Sequence, residues 1–181
     1  ISGSISSPTA IFAGNYFGHT DGTIDLVLAT SNGVERLRGN GTGNFTLMND
    51  GNPFYSPRYP IVYPPVRFFV ENDTPDLNAD GKPDLFFGYW GRGAPNVVTV
   101  GLSNGGTDGT FTFRQYIASS GSGVPNLSLA GMWPGAPIAG DFNNDGVLDL
   151  AVGGLNDFNS PRPGGVSLLL GTTPGAFASP R

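Results

Sequence analysis

Apolar residues along the chain occur in short segments, separated by turns rich in Gly, Pro, Asn and Ser. No apolar repeat with the 3.6-residue period of a helix is sustained, so the segments are predicted as strands. The predicted strands cover residues 10–15, 24–29, 34–38 and 44–48, then 66–70, 84–89, 96–101 and 110–116, and finally 136–141, 148–153 and 166–170, with a frayed last strand at 175–178.

The strands fall into three groups, which predicts a repeated unit. Four short antiparallel strands make one blade of a β-propeller. The predicted fold class is therefore all-β, with three blades of four-stranded antiparallel sheet. The blades occupy residues 10–50, 66–116 and 136–181 of a single domain that spans 1–181. Residues 1–9 alternate in polarity and are predicted to be a closing strand. The Pro- and aromatic-rich residues 50–65 are predicted to be a connection, because proline cannot donate to a central ladder.

An acidic loop lies between two of the predicted strands. Its positions 1, 3, 5 and 9 are Asp141, Asn143, Asp145 and Asp149, with Gly146 at position six. Alternate residues of a tight loop can turn their oxygens toward one centre, and glycine permits the sharp bend. Such hard oxygen ligands suit calcium, which takes about 6–8 of them. Without a cation, carboxylates this close would repel each other or shift their pKa values.

A second loop repeats the same spacing with Asp76, Asn78, Asp80 and Asp84. The residues at position seven, Lys82 and Val147, complete the two predicted ligand sets. An EF-hand loop would need Glu at position twelve and flanking helices, which this pattern lacks. Each side chain in the pattern is used for coordination or turn geometry, so the metal is predicted to be structural rather than catalytic.

A third, degenerate copy precedes the other two. Asp21 and Asp25 keep the last two acids, but the first half of the loop is two residues longer. Asn15 or His19 would have to stand in as a ligand there. A metal site and an ordinary turn both remain open for this loop.

The segment Gly-Asp-Phe-Asn-Asn-Asp-Gly-Val-Leu-Asp-Leu-Ala-Val-Gly at residues 140–153 resembles the FG-GAP repeat, also called VCBS. That repeat forms propeller blades in integrin alpha chains, some fungal lectins and many secreted bacterial proteins. The resemblance implies a blade with a structural calcium ion. It does not imply one function, because the family includes adhesion proteins, sugar-binding proteins and some enzymes.

Composition narrows the functional classes. The net charge is −5, and eight of the fourteen acidic residues lie in the three loops. We therefore interpret the acidic residues mainly as ligands for metal ions. The sequence has no basic patch, which argues against binding to nucleic acid. No apolar run is long enough to span a membrane. Abundant Ser, Thr, Asn and Gly, calcium loops, and a chain that starts at Ile1 rather than Met predict a secreted protein.

Three blades do not close a propeller, which usually has about 4–8 of them. The arc is therefore expected to be completed by another chain, as a homo-oligomer. Two copies placed head to tail would make a six-bladed ring, and copies that fail to close would form a fibre. A piece of a longer protein is the third possibility.

The function predicted from these features is a non-enzymatic calcium-binding module for adhesion or extracellular assembly. The alternative is a lectin, since aromatic side chains stack on sugar rings or fill pockets on a partner. A polysaccharide-active enzyme fragment is less favoured, because no carboxylate pair stands out beyond the loops. Glycans or cell-surface proteins are the expected partners, and the candidate contact residues are Tyr55, Tyr59, Tyr63, Trp90 and Trp133.

Overall fold

A computed structural model describes residues 8–30, 33–48, 67–69, 74–90, 97–104, 106–117, 132–156 and 165–178. These residues form strands and turns, and none of them lies in a helix long and apolar enough to cross a membrane. The strands are β1 (Pro8–Gly14), β2 (Asp25–Thr30), β3 (Gly33–Gly39), β4 (Phe45–Leu47), β5 (Arg67–Phe69), β6 (Leu85–Trp90), β7 (Val97–Ser103), β8 (Phe111–Ile117), β9 (Met132–Gly140), β10 (Asp149–Asn156), β11 (Gly165–Leu169), β12 (Gly171–Thr173) and β13 (Ala176–Phe177).

The first two sheets are four-stranded meanders. Their strand orders are β1-β2-β3-β4 and β5-β6-β7-β8, and every neighbouring pair is antiparallel. Consecutive antiparallel strands need only short turns, which the Gly- and Asn-rich segments provide. The prediction of an all-β fold built from propeller-type blades is confirmed.

The third sheet has the order β11-β10-β9, and a short hairpin of β12 and β13 follows it. One residue, Leu170, separates β11 from β12, and its carbonyl accepts a hydrogen bond from the Ala178 N–H at 2.7 Å. The hairpin therefore prolongs the third sheet, and its outer strand is only the two-residue β13. Gly171 permits this path, because a Cβ there would lie 2.5 Å from the Leu148 carbonyl oxygen.

The strands β9 and β10 are longer than predicted. β9 begins at Met132 instead of residue 136, because its pairing with β10 continues through a register shift to Asn156. Some predicted features lie outside the described residues. They are residues 1–7 of the predicted closing strand, the whole predicted connection 50–65, and positions 66 and 70 of the fifth predicted strand.

The core consists of two apolar clusters, one on each side of the second sheet. Leu85 and Phe87 of β6 join the cluster shared with the first sheet, and Phe86 between them joins the cluster shared with the third. Successive strand residues point to opposite faces, so this one strand supplies both clusters. Each such side chain contributes about 1.5–3 kcal/mol on burial.

The three sheets therefore stack in chain order. We call the face turned toward the next sheet along the chain the forward face, and the opposite one the backward face. The forward face of the first sheet carries Phe12, Val27 and Val34, and that of the second carries Phe86, Val98 and Val100. The backward face of the second sheet carries Leu85, Phe87 and Phe111, and that of the third carries Leu150, Val152 and Leu169.

One polar contact reinforces the packing of the first sheet on the second. Arg36 of β3 is buried, and its guanidinium donates a hydrogen bond to the backbone carbonyl of Asp108 in the turn between β7 and β8. A backbone carbonyl accepts this charge-assisted bond without bringing a second charge into the interface.

Candidate metal-binding loops

The acidic loops of the second and third units, residues 76–84 and 141–149, are called the second and third loops from here on, and they have the same backbone. Each precedes a central strand, β6 or β10, and bends at position six, where Gly81 and Gly146 have φ of 80° and 84°. Position four also has positive φ in both loops, at Ala79 (58°) and Asn144 (60°). Residues with a Cβ rarely adopt this conformation, so its occurrence at the same position twice indicates that the loop imposes it.

The carboxylate at position one folds back over the loop. Asp76 Oδ1 accepts from the Asp80 N–H at 3.0 Å, and Asp76 Oδ2 accepts from the Gly81 N–H at 2.7 Å. In the third loop Asp141 accepts the corresponding bonds from Asp145 and Gly146 at 3.0 and 2.8 Å. The first acid thus stays near the middle of the loop, although it is four residues away from position five in sequence.

The side chains at positions three and five turn toward the same centre. Asn78 Oδ1 accepts from the Asp80 N–H at 3.2 Å, the same N–H that Asp76 Oδ1 contacts. The Asn78 amide donates to Asp80 Oδ2 at 3.0 Å. The third loop repeats both contacts between Asn143 and Asp145, at 3.0 and 2.8 Å. Oxygens from three alternate residues therefore converge in each loop.

Position seven contributes a backbone contact. The N–H of Lys82 donates to Asp80 Oδ1 at 2.9 Å, and that of Val147 donates to Asp145 Oδ1 at 2.8 Å. Both residues are half-buried, whereas Asp80 and Asp145 are exposed. The fifth-position carboxylate is thereby fixed to the outgoing half of its loop.

The aspartate at position nine is fully buried and joins the loop to a neighbouring strand. Asp84 Oδ2 accepts from the N–H groups of Leu77 and Asn78 at 2.7 and 3.2 Å, and its Oδ1 accepts from the Ser103 N–H at 2.7 Å. Asp149 accepts from Phe142 at 2.9 Å and from Gly171 at 2.7 Å. We call this link from a buried aspartate to a backbone N–H of a neighbouring strand the clamp. The sequence predicted metal ligation by this aspartate but not the clamp, because the partner residue is remote along the chain.

Burial has an electrostatic effect on this clamp. It raises the pKa of Asp84 to about 6, because the charged carboxylate loses its contact with water. The N–H donors of Ser103 and Leu77 lower the pKa of Asp84 in part, and the charge of Asp80 raises it further. A cation beside these two acids would favour their charged forms.

The first unit keeps the clamp but not the acidic loop. Asp25 is buried, its Oδ2 accepts from the Phe17 N–H at 3.0 Å, and its Oδ1 accepts from the Gly39 N–H at 2.9 Å. These contacts correspond to those of Asp84 and Asp149, so the first unit is the same structural repeat. Phe17, Leu77 and Phe142 are accordingly equivalent residues, as are Gly39, Ser103 and Gly171.

The residues expected to stand in for ligands in the first unit bind one another. The Asn15 side chain donates to the His19 carbonyl at 2.6 Å and accepts from the His19 N–H at 2.7 Å. His19 Nε2 lies 2.9 Å from Asp25 Oδ1. Asp21 is exposed and accepts from the Thr23 N–H at 3.0 Å, and bonds from the Thr23 side chain and N–H lower the pKa of Asp21.

The donor set of the second and third loops fits a calcium ion in its chemistry. No ready-made cluster of three or more His, Asp or Glu side chains occurs within the described ranges. In the two loops, however, convergent carboxylate and amide oxygens are the hard ligands calcium takes. A carboxylate offers about four lone-pair sites, so the N–H bonds above leave acceptor capacity.

The candidate contact aromatics are placed differently. Tyr55, Tyr59 and Tyr63 lie outside the described residues. Trp90 is the last residue of β6 and pairs with Arg67, and Trp133 pairs with Leu155 between β9 and β10. Trp133 precedes the predicted strand 136–141 but lies in β9, because the extended β9–β10 ladder includes it.

Comparison with known proteins agrees with this repeat geometry. Residues 76–152 match the family model of the FG-GAP-like repeat. That range contains both acidic loops and ends in β10 of the third sheet. No curated protein and no solved structure gives a significant match. The chain is therefore an all-β, propeller-like protein whose second and third units are similar to the FG-GAP-like repeat.

Proposed function

We propose that the protein is a non-catalytic, calcium-stabilised repeat module that works outside the cell in adhesion or assembly. The observation that carries the proposal is the duplicated loop, with the same oxygens converging through the same hydrogen bonds in two units. Surface turns do not need such a match, whereas two sites for the same ion do.

The residues that would hold the ions follow from the loop contacts. One set is Asp76, Asn78, Asp80, Lys82 and Asp84, and the other is Asp141, Asn143, Asp145, Val147 and Asp149. A bound calcium ion supplies positive charge that offsets the clustered carboxylates and links both halves of the loop. The clamp aspartates then transmit that order to the neighbouring strands.

The overall charge supports two ions. Two divalent cations would bring the net charge of the chain from −5 to −1. Repulsion among carboxylates opposes a compact fold, and neutralisation removes that cost. Extracellular calcium modules work with Kd of about 10⁻⁴–10⁻³ M, which suits exposed loops of this kind.

A structural role for the acids favours a non-catalytic protein. The buried clamp aspartates are bound by backbone N–H groups, and the exposed acids are bound within their own loops. A hydrolase would need two carboxylates free to act on a substrate at a set separation. Adhesion and assembly, in contrast, need a rigid scaffold that presents its faces and loops.

Calorimetric titration of the chelator-treated protein with calcium tests the proposal. Two equivalents are expected for the wild type, one for Asp145→Ala or Asp80→Ala, and none for the double variant. Asp108→Ala, which changes an exposed acid outside the three loops, is the matched control and should keep two. Absence of binding at millimolar calcium would overturn the proposal.

The same titration addresses the first unit. Asn15, His19 and Asp25 already satisfy one another there, so Asp21→Ala is expected to leave the stoichiometry at two. A third equivalent that disappears in Asp21→Ala would instead place an ion in the first loop.

A further inference from the structure

The second and third loops share their ligand pattern but differ in exposure. Positions one and three are half-buried in the second loop and exposed in the third. Position two differs most, since Leu77 is 2% exposed and Phe142 is 48% exposed. The sheets differ in the same sense: at the same place on β7 and β11, Val98 is fully buried and Val166 is 74% exposed. The surroundings of the two loops are therefore unlike, although their backbones are alike.

The cover over the second loop is a turn of the third unit. This turn joins β12 to β13 and has φ of 75° at Gly175, and we call it the Gly175 turn. The Gly175 N–H donates to the Leu77 carbonyl at 2.7 Å. A Cβ added at Gly175 would lie 3.0 Å from Asn78 Cβ. The turn therefore packs directly on position three, one of the predicted ligands.

The Gly175 turn also contacts the strand that completes the clamp of the second unit. A Cβ added at Gly175 would lie 2.8 Å from Leu102 Cδ1. Leu102 directly precedes Ser103, whose N–H donates to Asp84 Oδ1. The turn thus contacts both segments that the Asp84 clamp joins, the second loop and β7.

The first unit contacts the second loop as well. A Cβ added at Gly14 would lie 2.8 Å from Cγ of Pro83, which is position eight of the loop. The hydroxyl of Thr74, two residues before the loop, donates to the Ala13 carbonyl at 3.4 Å. The first unit therefore supports the second loop near both ends, while the third unit supports positions two and three.

The third loop has less support within the described part of the chain. Its position two lies beside its own unit, since a Cβ added at Gly140 would be 3.1 Å from the Phe142 ring. Its position seven does too, since a Cβ added at Gly171 would be 2.6 Å from Val147 Cγ1. Leu148, at position eight, packs on the core shared with the second sheet. The third loop thus contacts the preceding unit, but no described turn covers its position two.

Rigidity, and not ligand charge, distinguishes the two candidate sites. Both loops offer three aspartates and one asparagine at positions one, three, five and nine. Calcium affinity in loops of this kind depends on the ligand charge count and on the rigidity of the site. A loop that is already held in its binding geometry loses less conformational entropy when the ion arrives. Equal charge with unequal support therefore predicts unequal affinity.

One charge opposes binding at the second loop. Lys82 is at position seven there, where the third loop has Val147. The Lys82 ammonium extends to the first unit, since a Cβ added at Gly18 would lie 3.1 Å from Nζ, and it forms no ion pair among the described residues. Salt weakens the repulsion from such a charge, whereas it does not remove the contacts of the Gly175 turn. We therefore expect rigidity to decide the order of binding.

We propose that the Gly175 turn positions the second loop, so that the second loop binds calcium before the third loop does. The inference rests on the proposed function and deepens it, because it gives the two ions an order. Coupling is reciprocal: if the docked turn raises the calcium affinity of the second loop, the ion strengthens the docking of the turn by the same factor. The first ion thus joins the second unit to the third, and the second ion orders the third loop.

Calorimetric titration with calcium at physiological salt measures the order. The wild type should show two steps whose dissociation constants differ about tenfold. Asp145→Ala should retain the tighter step, and Asp80→Ala should retain the weaker one. Two equal steps, or retention of the weaker step in Asp145→Ala, would overturn the inference and leave the proposed function in place.

Gly175→Ala examines the turn itself. The added Cβ would lie 2.8 Å from Leu102 and 3.0 Å from Asn78, so the turn must move away from the second loop. The tighter step should weaken about tenfold, and the weaker step should stay as it is. Gly43→Ala is the matched control, because Gly43 has φ of 83° but open space where its Cβ would be. The control has similar backbone strain without the contact and should keep both steps.

The third loop is an internal reference for the Gly175→Ala variant. If the substitution only damaged the third unit, it would weaken the third loop as well, since that loop belongs to the same unit. Equal weakening of both steps, or no change in either, would overturn the inference.

Hydrogen exchange of the wild type gives a readout that needs no variant. Exchange of the Gly175 N–H, which donates to the Leu77 carbonyl, should slow about tenfold with the first equivalent of calcium and change little with the second. Slowing only with the second equivalent, or no slowing, would contradict the coupling. Absence of calcium binding by the wild type would instead remove the proposed function, and the order of binding with it.

Discussion

The backbone N–H of Gly171 donates a hydrogen bond to Asp149 Oδ1 over 2.7 Å, and this bond joins the third acidic loop to the first residue of β12. Asp84 makes the same bond with Ser103, and Asp25 makes it with Gly39. The three bonds are buried, so each carboxylate replaces water for a backbone group that would otherwise lack a partner.

Asp149→Ala should destabilise the fold in the absence of any metal. The substitution leaves the N–H groups of Phe142 and Gly171 without their acceptor, and each buried unsatisfied donor costs about 1–3 kcal/mol. Urea denaturation in chelator should show a loss of about 2–5 kcal/mol in the free energy of unfolding. Asp108→Ala, at an exposed turn, should lose no more than about 1.5 kcal/mol; an equal loss in both variants would contradict the clamp.

Asp145→Ala should behave differently, since its side chain is exposed and acts within the loop. Its melting temperature should fall much further below the wild type in calcium than in chelator. A site saturated at about 100 times its Kd adds about 2.7 kcal/mol to the free energy of unfolding, and the variant forfeits that contribution. Equal differences in the two buffers would show that the residue acts only through its hydrogen bonds.

Val98 and Val166 each pair with the residue four positions after a clamp aspartate, so they are equivalent and allow a paired test of the sheet stacking. Val98→Ala should lower the free energy of unfolding by about 1.5–3 kcal/mol, because Val98 is fully buried between the second and third sheets. Val166→Ala should change it by less than about 0.5 kcal/mol in dilute, monomeric protein. Chemical denaturation of both variants at low concentration measures the difference, and similar losses would contradict the assignment of Val166 to an open face.

Alkaline pH should reveal the buried phenol of Tyr16. Burial, and to a lesser extent the charges of Asp84 and Asp25, raise the pKa of Tyr16 above its ordinary value. Thr74 lies close enough to offset part of that rise, yet the hydroxyl makes no hydrogen bond of normal geometry with the described residues.

The sign of the effect follows from proton linkage. Above about pH 10 the unfolded phenol ionises while the folded one stays protonated, so the unfolded state binds fewer protons and stability falls as pH rises. Tyr16→Phe should lose less stability than the wild type between about pH 9 and pH 11. Denaturation at a series of pH values measures the two slopes, and parallel slopes would exclude Tyr16 as the cause.

The local features of the loops were predictable from sequence, and the long-range ones were not. The spacing of Asp141, Asn143 and Asp145 indicates convergent oxygens, because neighbouring residues of a tight turn determine that geometry. The clamp needs the position of Gly171, which depends on how β12 packs. A ligand and a clamp can both use an aspartate at position nine, so the residue type does not distinguish them.

Strand existence was likewise easier to predict than strand extent. Short apolar segments between Gly- and Asn-rich turns indicated β6 and β7 correctly, since alternation and turn residues are local signals. The extension of β9 to Met132 depends on a partner strand and a register shift, which the sequence of β9 does not contain. His19 beside Asp25 was also not predicted, because it requires the folded loop of the first unit.

The clamps have a consequence for how the polypeptide folds during translation. They join residues 14, 19 and 22 positions apart in the three units, so the entropic cost of closing the segments differs by only about 0.4 kcal/mol. The clamp of the first unit can close soon after Gly39 leaves the ribosome, yet Phe12 and Val27 gain their apolar cover only when β6 has been synthesised. Each newly made blade thus completes the one before it, and synthesis order becomes folding order.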